Sequence, residues 1–500
     1  MLKHFSCYTK RDKLVKLRSF ISTIVLTFAV SSCTAKGMED VFQDDEVDVV
    51  DIENHSVKLY NQVVYDDGDY SYSLVANYCN QLTKPDSYLP IGKEIYNPTY
   101  GSVKCRLKLF REDSEQCIRD ISVEPQVNSI ELTNLLPNFA YRCELWSDDG
   151  AAMMDCDRFR AVGKTRMLKI PALKQIDSTT IYNKGYGYIL NVRDIGGLET
   201  NDGRIICYNK VIRGGTLHSG NAVYLSEEGK NELITLGVTA ELDLRESDKN
   251  CSVLGDNIEY ESFAVDQLFY RLNIFIDVRS RITMFSSAIR TLLKWLREGK
   301  TVYVHCEGGA DRTGAFCTII EGLCGVTENE LCHDYEMTSF WQLRDRSREY
   351  YTKANGAKYD GDYKFAMAYI KGLLEYNGKI YVKYNGGYYE TDKPVMNYTP
   401  QPIGDPELID NLDNISPISL KDKFRLLMQI GDNGLTIAEM DELEDLLLET
   451  RADTITTSAL SIRNDRRISK TRYGLDGRVM PAYNTVRRLY IKSGRKYFSK

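Results

Sequence analysis

Apolar and polar positions divide this chain into stretches of different period. From 58 to 170 they alternate in short runs broken by turn signals such as Asp66-Asp67-Gly68-Asp69 and Asp148-Asp149-Gly150, a pattern that predicts an all-β sandwich. From 171 to 377 strand-like and helix-like patterns take turns, which predicts an α/β domain. Thr239 to Arg245 reads as a buried strand. Ile282, Phe285, Ile289, Leu292, Leu293 and Leu296 recur at helical spacing, with Gly299 as the cap. A further apolar run, Thr301 to Val304, precedes the stretch His305 to Gly314. Beyond that stretch Ala315, Phe316, Ile319, Ile320 and Leu323 share one helical face. The order is strand, tight loop, helix. The remainder, 378–500, predicts an α+β extension: a hairpin over Gly378 to Glu390 turning at Asn385-Gly386, two helices between Ser419 and Glu449 joined near Gly431 to Gly434, and a strand-containing end.

The start of the chain follows another logic. Lys3, Lys10, Arg11, Lys13, Lys16 and Arg18 precede an uncharged, mostly apolar run from Phe20 to Val30, too short to span a bilayer comfortably. Residues 1–32 therefore read as a signal peptide. Val30-Ser31-Ser32-Cys33 resembles the lipobox of bacterial lipoproteins, which implies lipidation of Cys33 and an exported protein held on a bacterial membrane; the alternative is a plain secretory signal. Residues 33–57 read as an acidic tether, because eight acidic residues and no Lys or Arg lie between Gly37 and Val57.

Composition narrows the partners. The 500 residues carry a net charge of −7, which gives no reason to expect nucleic acid. The last fifty hold 13 basic against 3 acidic residues, a solvated surface or a site for anionic lipid or polyanionic substrate. Thirteen cysteines in an exported chain allow disulfides. With five histidines and no cluster at ligand spacing, no metal and no cofactor is expected; His218 and His333 read as structural.

The candidate chemistry sits in HCEGGADRTG, His305 to Gly314. A helix N-terminus and a nearby guanidinium favour a thiolate, so Cys306 is placed to be a nucleophile. Gly308 and Gly309 let the backbone of Glu307 to Arg312, Ala310 and Asp311 included, bend with its amides inward, and Arg312 offers a planar fork for two oxygens of a tetrahedral anion. A phosphate monoester fits such a cradle.

This loop resembles the signature of the protein tyrosine phosphatase superfamily. The resemblance implies Cys306 as nucleophile, Arg312 as phosphate ligand, Thr313 as the hydroxyl that assists thiolate turnover, and His305 as a prop of the loop. Asn191 to Arg204 (NVRDIGGLETNDGR) and Val211 to His218, with Leu242 to Glu246 and Gly325 to Ser339, resemble in order a bacterial tyrosine phosphatase-like family. Arg193 and Asp194 are then supporting residues, either paired structurally or in contact with phosphate. The general acid is Asp311, Asp277 or Asp266. Ala310 stands where that family usually has a lysine, which argues against highly charged lipid head groups, although the loop also resembles that of phytases acting on inositol phosphates. The expected activity is a protein-tyrosine or dual-specificity phosphatase; inositol phosphate hydrolysis and a catalytically silent phosphate-binding surface protein are the alternatives. Ser129 to Trp146 resembles the corner of fibronectin type III domains, with Tyr141, Cys143 and Leu145 pointing inward.

Overall fold

Alternation in the N-terminal third places strands whose inward positions share a core, a β-rich sheet region. In the computed structural model of the chain, residues 47–58, 89–97, 102–173, 187–219, 222–268, 277–341, 350–352, 358–392, 401–449, 489–492 and 495–498 are described, apart from positions 56, 115, 247–250, 267 and 361. The leader with Cys33, the turn at Asp66 to Asp69 and most of the basic tail lie outside the described residues. Strands β1 (Asp48–Asp51), β3 (Cys105–Arg111), β4 (Gln116–Val123), β6 (Ala140–Ser147) and β7 (Met153–Val162) form one sheet in the order β1-β7-β6-β3-β4, and β2 (Lys93–Tyr96) pairs with β5 (Ser129–Leu132). Ile95 and Leu132 from the ribbon share a core with Leu107, Leu109, Tyr141, Cys143, Leu145 and Phe159. All the described cysteines are free thiols.

Strand β1 corrects the tether. Its residues pair in parallel with β7, and Ile52 and Val57 are buried. The acidic count hid Val50 and Ile52, which reach the core, while Lys93 meets Asp48 at 2.8 Å.

The central sheet runs β14 (Glu259–Ser262), β13 (Val238–Asp243), β15 (Thr301–His305), β10 (Val211–Gly214), β8 (Arg193–Asp194), with only β8 antiparallel. Short strands β9 (Ile205–Ile206), β11 (His218–Ser219) and β12 (Ala222–Val223) lie outside it. Both faces are covered, as parallel sheets require. Val302 and Val304 face a core shared with helices α2 (Val278–Arg297) and α3 (Asp311–Leu323), whereas Tyr303 faces a second core with Leu233 of α1 (Glu227–Thr235). Helix α4 (Glu328–Met337) follows α3; α5 (Asp362–Gly372) and α6 (Pro406–Asp413) flank the hairpin at 379–390, whose turn uses Asn385 and Gly386 at positive φ.

The boundary at 377 is also corrected. Helices α7 (Leu420–Met428) and α8 (Ile437–Leu447) contribute Phe424, Leu427, Met440 and Leu443 to the same core as α2 and α3. Phe424 lies against Gly322, where a Cβ would come within 2.4 Å of the ring. Leu448 and Glu449 then pair with β9. The α/β core therefore extends to 449. This explains why α3 is buried on every side from Thr313 to Leu323, where its sequence suggested one buried face. A helix that is apolar nearly all round needs cover all round, and α7 and α8 supply it. The N-terminal region is thus a β-rich sheet region, and the centre a mixed sheet with helices.

Candidate active site

Strand β15 is buried at all five positions and delivers Cys306 at the carboxyl edge of the sheet, where open α/β folds bind ligands. Helix α3 starts at Asp311, and its N-cap is Ala310, which has no side-chain oxygen to satisfy the first-turn N–H groups. Those donors are left for an anion.

The loop between strand and helix is held by its carbonyls. Cys306 O is met by His305 Nδ1 at 3.1 Å, Glu307 O accepts from the Thr216 N–H at 2.9 Å, and Gly308 O accepts from Asn191 Nδ2 at 3.3 Å. Gly309 O accepts from Asn191 Nδ2 at 2.7 Å and from an Arg213 guanidinium nitrogen at 2.9 Å. In a planar trans peptide the N–H points opposite to the C=O. With four successive carbonyls engaged, the N–H groups of residues 307 to 310 turn away from those partners, as an anion nest requires. Gly309 has φ +65°, and a Cβ there would lie 2.4 Å from Gly214 O, so only glycine fits.

Two buried charge clusters hold these partners. On one side Arg193 donates to Asp334 Oδ1 (2.7 Å), to Asp334 O (2.6 Å) and to Asn191 Oδ1. Arg213 also binds the Asp334 carboxylate. Burial raises the Asp334 pKa, but the two guanidiniums outweigh it and hold the group below the ordinary carboxylate value. On the other side His305 Nε2 meets Glu241 at 2.9 Å, and its Nδ1 lies 3.8 Å from Asp243. Both ring nitrogens thus face acceptors. Burial alone would lower the His305 pKa, yet Asp243 and Glu241 reverse that and raise it. Arg245 binds Asp243 through two nitrogens at 2.8 Å and Glu307 at 2.9 Å.

The expected site residues fall into three groups. Glu307, Gly308, Gly309, Ala310, Asp311, Arg312 and Thr313 follow Cys306 through the loop into α3, with Asp311 and Arg312 half-buried and the Thr313 hydroxyl buried without a hydrogen-bond partner. His305 and Arg193 join them through the contacts above. Asp194 does not face the loop; it pairs with Arg166 at 2.8 Å. Asp277 is the exposed N-cap residue of α2 and makes no capping bond. Asp266 is bound to Arg281 at 2.8 Å. Since α2 runs from β14 back to the start of parallel β15, its N-terminus and Asp266 lie at the same edge of the sheet as Cys306. Asn191, Arg213, Glu241, Asp243, Arg245 and Asp334 are support that was not singled out as a site, although each falls within or beside a stretch whose order resembled the bacterial family.

A loop between a parallel strand and a helix, headed by a cysteine and closed by an arginine, is a candidate oxyanion-binding site. Residues 187–386 match the tyrosine phosphatase family. A protein of Cupriavidus necator (strain ATCC 17699 / H16), named "Putative tyrosine-protein phosphatase", is 25% identical over 174 residues, covering 31% of this chain and 62% of the relative. The chain thus spans less than two thirds of the curated relative it matches.

Proposed function

We propose that the α/β core hydrolyses phosphate monoesters through a phosphocysteine. The Cys306 thiolate attacks phosphorus while the loop amides and Arg312 hold the non-bridging oxygens. The P–O bond to the leaving group breaks, and the departing alcohol or phenol takes a proton from a carboxylic acid. Water then cleaves the S–P bond and restores the thiolate, with Thr313 beside the nucleophile's loop as the hydroxyl that assists. Asp311 is the acid we favour, because it stands half-buried in the first turn of α3, next to Arg312. The observation that carries this reading is the set of four consecutive carbonyls tied outward from residues 306 to 309.

The substrate we propose is phosphotyrosine in protein, with dual specificity included. Inositol polyphosphate is the second reading, favoured by the glutamate that follows the nucleophile, Glu307. Assay of the full chain on p-nitrophenyl phosphate, a phosphotyrosine peptide and phytate separates them. Turnover is expected on the first two and is lost in Cys306→Ser; undiminished turnover in that variant removes the cysteine mechanism, and a preference for phytate reverses the substrate assignment.

Two further proposals concern the setting. Export and lipidation at Cys33 rest on residues 3 to 33, with the membrane as partner. A fibronectin type III-like identity for the β region is supported by Tyr141, whose hydroxyl accepts from the Leu136 N–H at 2.8 Å and donates to Leu136 O at 3.2 Å, the closed corner of such sandwiches.

A further inference from the structure

We propose that Arg166, in the segment leaving the β region, is a positioning residue for the oxyanion loop, so that the β region is part of the catalytic apparatus rather than a spacer. The proposal rests on the phosphatase reading above. Arg166 is 2% exposed and its guanidinium bridges two bodies of structure. Toward the β region it donates to Leu135 O at 3.1 Å and Asn134 O at 2.9 Å. Toward the α/β core it donates to Asp194 Oδ2 at 2.8 Å and to Asn209 Oδ1.

Asp194 is bound on every side. Its carboxylate also accepts from the N–H groups of Gly196 and Asn209, each at 2.9 Å. The backbone reinforces the contact, with Leu168 N–H donating to Val192 O at 3.0 Å and Asp194 N–H to Arg166 O at 3.1 Å. Residues 166–168 therefore run beside 192–194 as an extra edge. Alternate residues of a strand face opposite ways, so Asp194 faces the β region while Arg193 faces the loop side. Arg193 holds Asn191, and Asn191 holds Gly309 O. Asn191 has φ +58°, a conformation a non-glycine residue keeps only when its surroundings fix it. Arg166 is one of those surroundings at three residues' remove.

The same junction contains a built-in comparison. Arg119, on β4, pairs with Glu232 of α1 at 2.5 Å and 3.0 Å, and Asn134 adds a bond at 2.6 Å. That contact joins the β region to α1 and not to the residues that hold the loop. If the junction only added stability, Arg119 and Arg166 would be equivalent.

The experiment uses the full chain with Arg166→Ala, Arg166→Lys and Arg119→Ala, each measured for tungstate affinity, turnover of p-nitrophenyl phosphate and Tm. Arg166→Ala is expected to weaken tungstate and to lower kcat/KM by about tenfold each, equivalent to roughly 1.4 kcal/mol, with partial recovery in Arg166→Lys. Arg119→Ala is expected to stay within about twofold in both while losing a comparable amount of Tm. Arg166→Gln serves if Arg166→Ala is insoluble. Unchanged tungstate affinity in the Arg166 variants, or an equal loss in Arg119→Ala, overturns the proposal. A wild-type chain that binds tungstate but turns over no ester overturns the phosphatase reading instead, and tungstate affinity alone then decides the role of Arg166.

Discussion

The oxyanion loop is gripped by two buried charge clusters that use different chemistry. Around Gly308 and Gly309 the charges are two arginines and Asp334, groups that do not titrate near neutrality. Around Cys306 and Glu307 the grip passes through His305, whose imidazole can gain or lose a proton between Glu241 and Asp243, and through Arg245, which binds Glu307. The first cluster is an arginine lock whose strength is constant over the working pH range. The second is tuned by a proton. The difference teaches where each kind of damage should appear: removing charge from the lock should cost folding at any pH, whereas altering the histidine cluster should change how stability responds to pH.

Asp334→Asn is expected to have the largest effect. Glu321 lies on α3 with both carboxyl oxygens buried, and burial first, then the Asp334 charge, push its pKa well above the ordinary value. Burial, the larger of the two causes, remains in the variant and opposes its replacing the lost anion. Two guanidiniums then remain buried without a counter-charge, which costs about 3–5 kcal/mol. Thermal unfolding should show a fall of roughly 10 °C, equal at pH 6 and pH 9. A fall of less than about 2 °C would mean the lock is not what holds the loop.

Gly309→Ala comes next and strikes the loop more than the fold. Its Cβ would meet Gly214 O at 2.4 Å with φ at +65°, strain of about 1–3 kcal/mol that backbone movement must relieve. A displaced nest should lower kcat/KM by about 100-fold, measured on p-nitrophenyl phosphate, with most of the Tm retained. Loss of Tm without loss of turnover would place the strain outside the nest.

The sequence made half of this comparison legible. His305, Cys306, Gly309 and Arg312 are contiguous, and local patterns suffice for contiguous features: the strand before the loop, α2 with its Gly299 cap, and the hairpin at Asn385-Gly386 all follow the predicted positions. The arginine lock was not legible as a lock, because Arg193 and Asp334 are 141 residues apart and Arg213 and Asp334 121, and a charged residue on a helix reads as a solvated face until its partner is known. The place of α7 and α8 was hidden for the same reason. Their helical periodicity was visible, but which surface they cover depends on Phe424 reaching Gly322. The tether misled because eight carboxylates with no balancing Lys or Arg drew the reading away from the apolar positions between them, of which Ile52 and Val57 are buried.

The smallest effect is the one that separates the two clusters most cleanly. His305 has a folded pKa above the ordinary value, so the folded chain holds that proton more tightly than the unfolded chain. Its contribution to stability is complete below the unfolded value, about 6.5, and is lost as pH rises through the raised folded value. His218 behaves oppositely. Burial first, then Arg245, lower it to about 4, so its contribution is present above about 6.5 and is lost as pH falls toward 4. Above pH 6.5 only the His305 slope of the two remains. Glu241→Gln keeps a hydrogen-bond acceptor but removes the carboxylate charge, which should bring the His305 pKa down and cost about 1–2 kcal/mol at neutral pH. Tm recorded between pH 6 and pH 9 should then decline less with pH than in the wild type, while Asp334→Asn keeps the wild-type slope at a lower level. Parallel curves for Glu241→Gln and the wild type would show that the proton on His305 does not support the loop.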